Sequence, residues 1–458
     1  MKHLRGICTF LFGIAVLLFF GLAYPHHLHY QEQYQLFLFD STYVWEVVRL
    51  PGGVADLLGR FCTQFFLFAW IGALIIAVLL SLIQILMLRL ANYEWLYGLS
   101  FVPSFLLWLF LLDENALMGA VWAVLLTQLA MWGFLHLPDG WARRILVIVS
   151  FPILYWVAFG GSHYYRIPNT FPTLFYVAWF SAIVIPLVIH VIPKSWRQVH
   201  DSQRQQILHY SLFILSFIVF GTIIWKNANF KAEKVMQYDF MVCHQQWNRI
   251  LATANAEKPN NQIGVTVQNL ALAMHGQLAD HLFDYNQNGI AGLLPDVQSD
   301  ATSPMPTAEA FYQLGMIYVA QRTVFEAQEA ILDFQKSARC YKRLAQTNLI
   351  IGSYEVARKY LMALQKTLFY RDWANETLPL LGNEEAIAKH PEYGRLRQCA
   401  YNGDFYFSDH VTAEMLESLF FSNTDNHLAY QYLVAYYMLT GDREGYNQFF
   451  IHLKNVKQ

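Results

Sequence analysis

The run ILHYSLFILSFIVFGTIIW at Ile207–Trp225 is the last long apolar stretch of the chain, and the halves on either side of it differ in character. It carries no Asp, Glu, Lys or Arg. A helix rises about 1.5 Å per residue, so a run of about 20 apolar residues matches a hydrocarbon core roughly 30 Å thick. Positions 1–225 hold 20 charged residues, whereas positions 226–458 hold 44. The first half therefore reads as a bundle of transmembrane helices (1–226). The second half has the composition of a water-soluble domain (227–458). An all-α protein is expected, and no stretch reads convincingly as a strand.

Working back from Ile207, further apolar runs stand at Phe171–Ile192, Ile145–Phe159, Leu117–Leu135, Trp95–Leu112 and Phe65–Leu88. The first run, Gly6–Tyr24, follows a short basic start and leads into Tyr24-Pro25-His26-His27 rather than a small-residue cleavage site, so it reads as a retained helix. Seven spans result, with a polar, aromatic-rich outer loop at 25–62. With a cytoplasmic N terminus, Lys2, Arg5, Arg89, Arg143, Arg144, Lys194, Arg197 and Arg204 fall inside, and only Arg49, Arg60 and Arg166 fall in outer loops. Lys and Arg favour the cytoplasmic side, which places the C-terminal half outside the cytoplasm. The expected location is the bacterial inner membrane, with that half in the periplasm.

Working forward, apolar residues recur at helical spacing over Ala232–Ala256, Ile263–Phe283, Ala308–Val319, Phe325–Phe334, Ser337–Ile350, Tyr354–Thr367, Ala413–Phe420, Leu428–Leu439 and Arg443–Lys454. Asn286–Pro306 reads as a loop. Phe311, Leu314, Gly315, Tyr318 and Ala327 stand at the offsets of a tetratricopeptide repeat. Tyr341, Leu344, Ala345, Gly352, Tyr354 and Ala357 follow the same template, with 30 residues between the two alanines against the usual ~34. In this reading the alanines permit close helix approach and the aromatics fill the space between turns. A plain antiparallel helical bundle is the other architecture open to this half.

The runs QEQYQLFLF (Gln31–Phe39), LPGG (Leu50–Gly53), FCTQFF (Phe61–Phe66), NGIAGLLP (Asn288–Pro295), RLAQTNLIIGSYEVARKYL (Arg343–Leu361) and TLFYRDWA (Thr367–Ala374) resemble a Gram-negative bacterial membrane-protein family known as a domain of unknown function. The resemblance covers nearly the whole chain. It implies an inner-membrane protein with a periplasmic repeat domain, and it brings no catalytic residue with it.

The outer loop holds the main candidates for chemistry. Asp40 lies where the GT-C class of membrane glycosyltransferases carries an acidic residue that acts as base or metal ligand, and Asp113 and Glu114 could supply a second acid. The competing reading makes Asp40 the N-cap of an interfacial helix at Ser41–Leu50. His26, His27 and His29 lack a carboxylate at defined spacing and suit the headgroup region better than a metal. Asp284, Asn286, Asn288 and Gly289 match the start of a calcium loop, but its twelfth position is Pro295, so an Asn-Gly turn is expected. Five cysteines without CxxC spacing suggest neither zinc nor redox chemistry, and no disulfide is expected. The near-neutral charge lacks the basic footprint of nucleic-acid binding. The spans show Gln84, Thr127 and Gln128 but no mid-span charge, which disfavours ion-coupled transport. No cofactor is called for. Two functions remain: a membrane-bound scaffold, in contact with lipids, whose repeats bind a protein or peptide, and a glycosyltransferase-like enzyme centred on Asp40.

Overall fold

The computed structural model describes residues 2–91, 97–136, 140–141, 145, 172–191, 203–297, 302–331, 335–401 and 411–456. The expected span at Ile145–Phe159 lies almost wholly outside them. Helices account for the architecture, and no β-strand forms among the described residues. The chain divides into two compact units, Met1–Glu233 and Lys234–Gln458.

In the first unit, α1 (Lys2–Leu18) continues through a π-helical turn to Ala23 and packs against α5 (Ala69–Ala91). Small residues let the two approach: a Cβ on Gly13 would stand 3.0 Å from the Ser81 hydroxyl, and one on Gly21 2.7 Å from the Trp70 ring. Between them, Thr9 donates to Gln84 Oε1 (2.9 Å), and Gln84 Nε2 donates to Ser100 Oγ (2.7 Å). Buried polar side chains are tolerated there because each finds a hydrogen-bond partner. α6 (Val102–Phe110), α7 (Met118–Leu135), α8 (Pro172–Val191) and α9 (Gln203–Asn227) complete the apolar helices. Phe105 stacks on Phe220 of α9 at 4.6 Å and meets Phe12 edge-on at 5.2 Å.

The expectation of seven spans needs correction. Among the described residues, only Arg5–Ala23 and Ala69–Ala91 are single helices long and apolar enough to cross a bilayer. A third qualifies if Phe213–Asn227 and Phe230–Cys243, bent by 58°, are taken together. Tyr97–Phe110, Met118–Phe134 and Thr173–Pro186 are shorter apolar helices. A 3-10 turn precedes Pro103 in the first of these, and Pro186 lies inside α8, where it removes one backbone donor without ending the helix.

The outer loop at 25–62 is also helical, with α2 (Pro25–Glu32), α3 (Ser41–Val48) and α4 (Gly53–Thr63). α4 runs against α7 so closely that a Cβ on Gly59 would collide with the backbone nitrogen of Gly119.

The second unit begins within α10 (Phe230–Cys243), followed by α11 (Trp247–Glu257), α12 (Gln262–Met274) and the single turn α13 (Leu278–His281). Two consecutive hairpins follow, α14 (Pro304–Leu314) with α15 (Ile317–Ala330), and α16 (Ala338–Ile350) with α17 (Tyr354–Leu364). Gly315 (φ 93°) and Gly352 (φ 83°) adopt the left-handed conformation that ends α14 and α16, which only glycine takes without strain. Three short helices, α18 (Arg371–Thr377), α19 (Glu384–Lys389) and α20 (Pro391–Cys399), precede α21 (Thr412–Ser422), α22 (His427–Thr440) and α23 (Arg443–Val456).

Several expected boundaries shift. The single helix Ala232–Ala256 is two, broken at Gln245 (φ 52°), and Ile263–Phe283 is interrupted at Gly276 (φ 71°). The first hairpin turns at Gly315-Met316 rather than after Val319, because Leu314–Ala320 is apolar apart from its glycine and offers no polar punctuation.

Candidate functional site

The sequence Gln31-Glu32-Gln33-Tyr34-Gln35 is polar throughout, and every one of these residues is buried. Burial of that kind is tolerable only with hydrogen-bond partners in place. Gln31 Nε2 donates to the carbonyls of Asp113 (3.2 Å) and Ala116 (3.1 Å). The Tyr30 and Tyr34 hydroxyls share a 2.5 Å bond. Gln35 accepts from Thr63 Oγ1 (3.3 Å) and leans on Asp56 Oδ1 (3.4 Å). Asp56 Oδ2 in turn receives Arg60 Nε (2.9 Å) and Nη2 (2.6 Å), and Arg60 Nη1 reaches the Tyr43 hydroxyl (3.3 Å). The segment is thus a buried polar core between α2, α4 and the turn before α7.

Of the acids named from sequence, Glu114 comes closest to this core. With Gln31, Tyr34, Gln35 and Thr63 it lines a gap too small to admit a water molecule. Burial raises its carboxyl above the ordinary range, with the neighbouring Asp113 adding to the effect. Asp113 turns its carboxylate onto the Asn115 N–H (2.8 Å). Asp40 does something else: its Oδ1 accepts from the N–H groups of Thr42 (3.0 Å) and Tyr43 (3.1 Å), capping α3. The gap beside Glu114 is lined without Asp40.

Glu233, which sequence reasoning passed over, and His27, expected among headgroups but fully buried, complete the packing around α2. Glu233 reaches the N terminus of α2, accepting from His26 N–H (2.7 Å) and His27 N–H (2.8 Å) on its two oxygens. A carboxylate at a helix N terminus satisfies donors that have no partner within the helix. Burial nevertheless pushes its pKa up to about 7, the two N–H donors pulling the other way. His27 is fully buried with its Nε2 2.9 Å from the Leu111 carbonyl, and burial lowers its pKa to about 3.

The second unit holds a different cluster. Every residue of α14 is buried, including Glu309, Tyr312 and Gln313. Glu309 pairs with Arg343, whose guanidinium lies 3.7 Å over the Tyr312 ring, and the Tyr312 hydroxyl donates to Glu392 (2.9 Å). Arg339 grips Asp239 of α10 with two bonds of 2.6 and 2.8 Å. Arg395 of α20 donates to the Gln313 carbonyl (3.1 Å) and to its side-chain oxygen (2.6 Å). Arg397, also of α20, donates to the carbonyls of Ile350 (3.1 Å) and Leu349 (3.0 Å). The two arginines therefore cap the C-terminal ends of α14 and α16, where carbonyls lack intrahelical partners.

Of the residues assigned to repeat packing, Phe311, Leu314, Ala327, Leu344 and Ala357 are buried. Tyr318 is not between the turns but 55% exposed. The Tyr354 hydroxyl meets Glu384 and receives Arg397 (2.9 Å). The calcium-like loop spends its side chains elsewhere: Asn286 donates to the Lys258 carbonyl (3.0 Å), Asn288 to that of Asn260 (3.2 Å), and Asp284 faces His281. Among the described residues, no group of three or more His, Cys, Asp or Glu could hold a metal ion.

The family model described as "Family of unknown function (DUF6057)" matches residues 2–163 and 158–458. No curated protein and no solved structure matches the chain.

Proposed function

We propose that this chain, which belongs to the DUF6057 family, is an integral membrane protein whose helical hairpins dock a protein or peptide partner outside the cytoplasm. The membrane part of the reading is supported by apolar side chains that face outward. Phe10 and Leu22 on α1, Leu74 and Val78 on α5, Phe180 and Val188 on α8, and Leu215 and Ile218 on α9 are each 48–67% exposed. Apolar exposure on that scale suits hydrocarbon and not water. The shorter apolar helices sit in the bilayer beside the long ones. The basic residues set the N terminus in the cytoplasm of a Gram-negative cell and the hairpins, read as tetratricopeptide-like, in the periplasm.

One observation carries the docking role. Tyr318, Arg322 and Phe325 stand exposed at helical spacing on α15, whereas Arg395 and Arg397 of α20 and Asp239 of α10 are spent on bonds to α14 and α16 within the unit. Aromatic residues and arginine are the types that dominate protein–protein binding energy.

A photo-crosslinking residue at Phe325 in living cells is expected to form one dominant protein adduct, lost in Tyr318→Glu. A periplasm-active reporter fused after Gln458 is expected to be active in the same strain. No adduct, or one indifferent to Tyr318→Glu, would reject the docking face, and an inactive reporter would reject the compartment.

A further inference from the structure

The surface shared by α1 and α5 is not smooth. A furrow of about 660 Å³ runs along it, within the range of specific ligand sites. Gly6, Thr9 and Gly13 on one side and Ala77 and Ser81 on the other keep it open, because none of them projects a bulky side chain. A Cβ on Gly6 would meet no atom within 4 Å. The Thr9 hydroxyl is turned inward to Gln84 and Tyr97, so the walls are apolar along most of their length. The two helices run antiparallel, as the pairings of Gly13 with Ser81 and Gly21 with Trp70 require. Arg5 therefore stands at the same end as Leu88, and Leu17 at the same end as Leu74.

We infer that this furrow holds one acyl chain of an anionic phospholipid, with the lipid phosphate at Arg5. The inference rests on the membrane reading above. From Arg5 to Leu17 the furrow extends 12 residues, about 18 Å of helix. One leaflet contributes about 15 Å, half of the roughly 30 Å core. A chain from one leaflet fits that length, whereas a transmembrane helix of a partner would need the whole thickness. Among the described lining residues Arg5 is the one cationic group, and it stands at one end, which matches a ligand with one charged head and an apolar tail. Filling the furrow also restores dispersion contacts that its lining atoms lose if it stays void. On the cytoplasmic orientation proposed for the N terminus, the bound lipid belongs to the inner leaflet.

The test uses the full chain, extracted in mild detergent, equilibrated with equal amounts of phosphatidylglycerol and phosphatidylcholine, and weighed by native mass spectrometry. The wild type is expected to retain one phospholipid, with phosphatidylglycerol favoured about fivefold, the preference one basic group confers near an anionic headgroup. Gly6→Phe, which fills open space without a clash, is expected to lose the retained lipid while keeping wild-type helicity by circular dichroism. Arg5→Gln is expected to retain a lipid with the headgroup preference gone. A lipid-free wild type, or a Gly6→Phe protein that keeps its lipid, overturns the inference. A two-chain mass that Gly6→Phe converts to one chain assigns the furrow to a second copy and overturns it equally. Release of the chain from membranes by alkaline carbonate is a separate result, which rejects the membrane reading itself.

Discussion

Asp56–Arg60 in the first unit and Asp239–Arg339 in the second are ion pairs buried to nearly the same depth, and they hold different things together. In Asp56–Arg60 the side chains are 8% and 11% exposed, and in Asp239–Arg339 they are 11% and 10% exposed. The first joins residues four apart on α4 and has neutral neighbours within reach, the Tyr43 hydroxyl and the Gln35 amide. The second spans 100 residues of sequence and ties α10 to α16, with Arg339 Nε buried and without a partner. A buried pair contributes little net stability over an apolar replacement, but removing one partner strands a charge. The local pair therefore braces one helix, and the distant pair specifies which helices meet.

That contrast is open to test. Arg339→Met should be the most damaging change, costing about 3–5 kcal/mol by removing the guanidinium that holds Asp239 with two hydrogen bonds. Arg60→Met should cost less, because Asp56 keeps the Gln35 amide and lies nearer the helix N terminus. Chemical unfolding of the full chain in detergent reads both. Adding Asp239→Leu to Arg339→Met should recover most of the loss if registry alone is at stake. Equal losses at the two arginines would erase the distinction.

The next effect is on pH dependence. Glu233 has its pKa raised from 4.5 to about 7, so its contribution to stability is present below pH 4.5 and is lost as pH rises towards 7. His27 has its pKa lowered from 6.5 to about 3, so its contribution is present above 6.5 and is lost as pH falls. Between pH 4.5 and 6.5 the two slopes oppose each other, and Tyr24, whose phenol feels Glu233, stays neutral there because burial raises it. The wild type should show little dependence from this site in that window. Glu233→Gln removes one slope and should leave stability rising with pH by up to about 1.4 kcal/mol per unit. A flat profile in Glu233→Gln would show that His27 is not buried neutral.

The smallest effect should come from Asp40→Asn. Asparagine caps a helix as well as aspartate does, so stability should change by less than about 0.5 kcal/mol. Cellular function should persist at normal membrane level. A dead but well-expressed Asp40→Asn protein would make the glycosyltransferase-like reading the one to pursue.

The helices Ala338–Ile350, Tyr354–Leu364, Thr412–Ser422, His427–Thr440 and Arg443–Val456 were legible in the sequence to within a few residues. Each has an apolar stripe, and glycine or a polar cap marks most of its ends. The short helices between Arg371 and Cys399 were not legible. They run six to nine residues, too short to form alone, and α20 is held by Arg395 and Arg397 reaching carbonyls on helices far away in sequence. In 25–62 the helix capped by Asp40 was legible, but α2 and α4 were not, since the polar residues there look solvated until Asp113 and Ala116 are seen to supply their partners.

The sequence by itself determined the all-helical class and the contrast in charge between the halves. These follow from composition and period, which act over a few residues. Only the tertiary structure decided that Gln31–Gln35 forms a core, that Glu233 caps α2, and that Arg395, Arg397 and Asp239 bring α20 and α10 onto the hairpin helices. Those outcomes depend on which distant carbonyl or carboxylate a buried polar side chain meets, and no local pattern encodes that meeting.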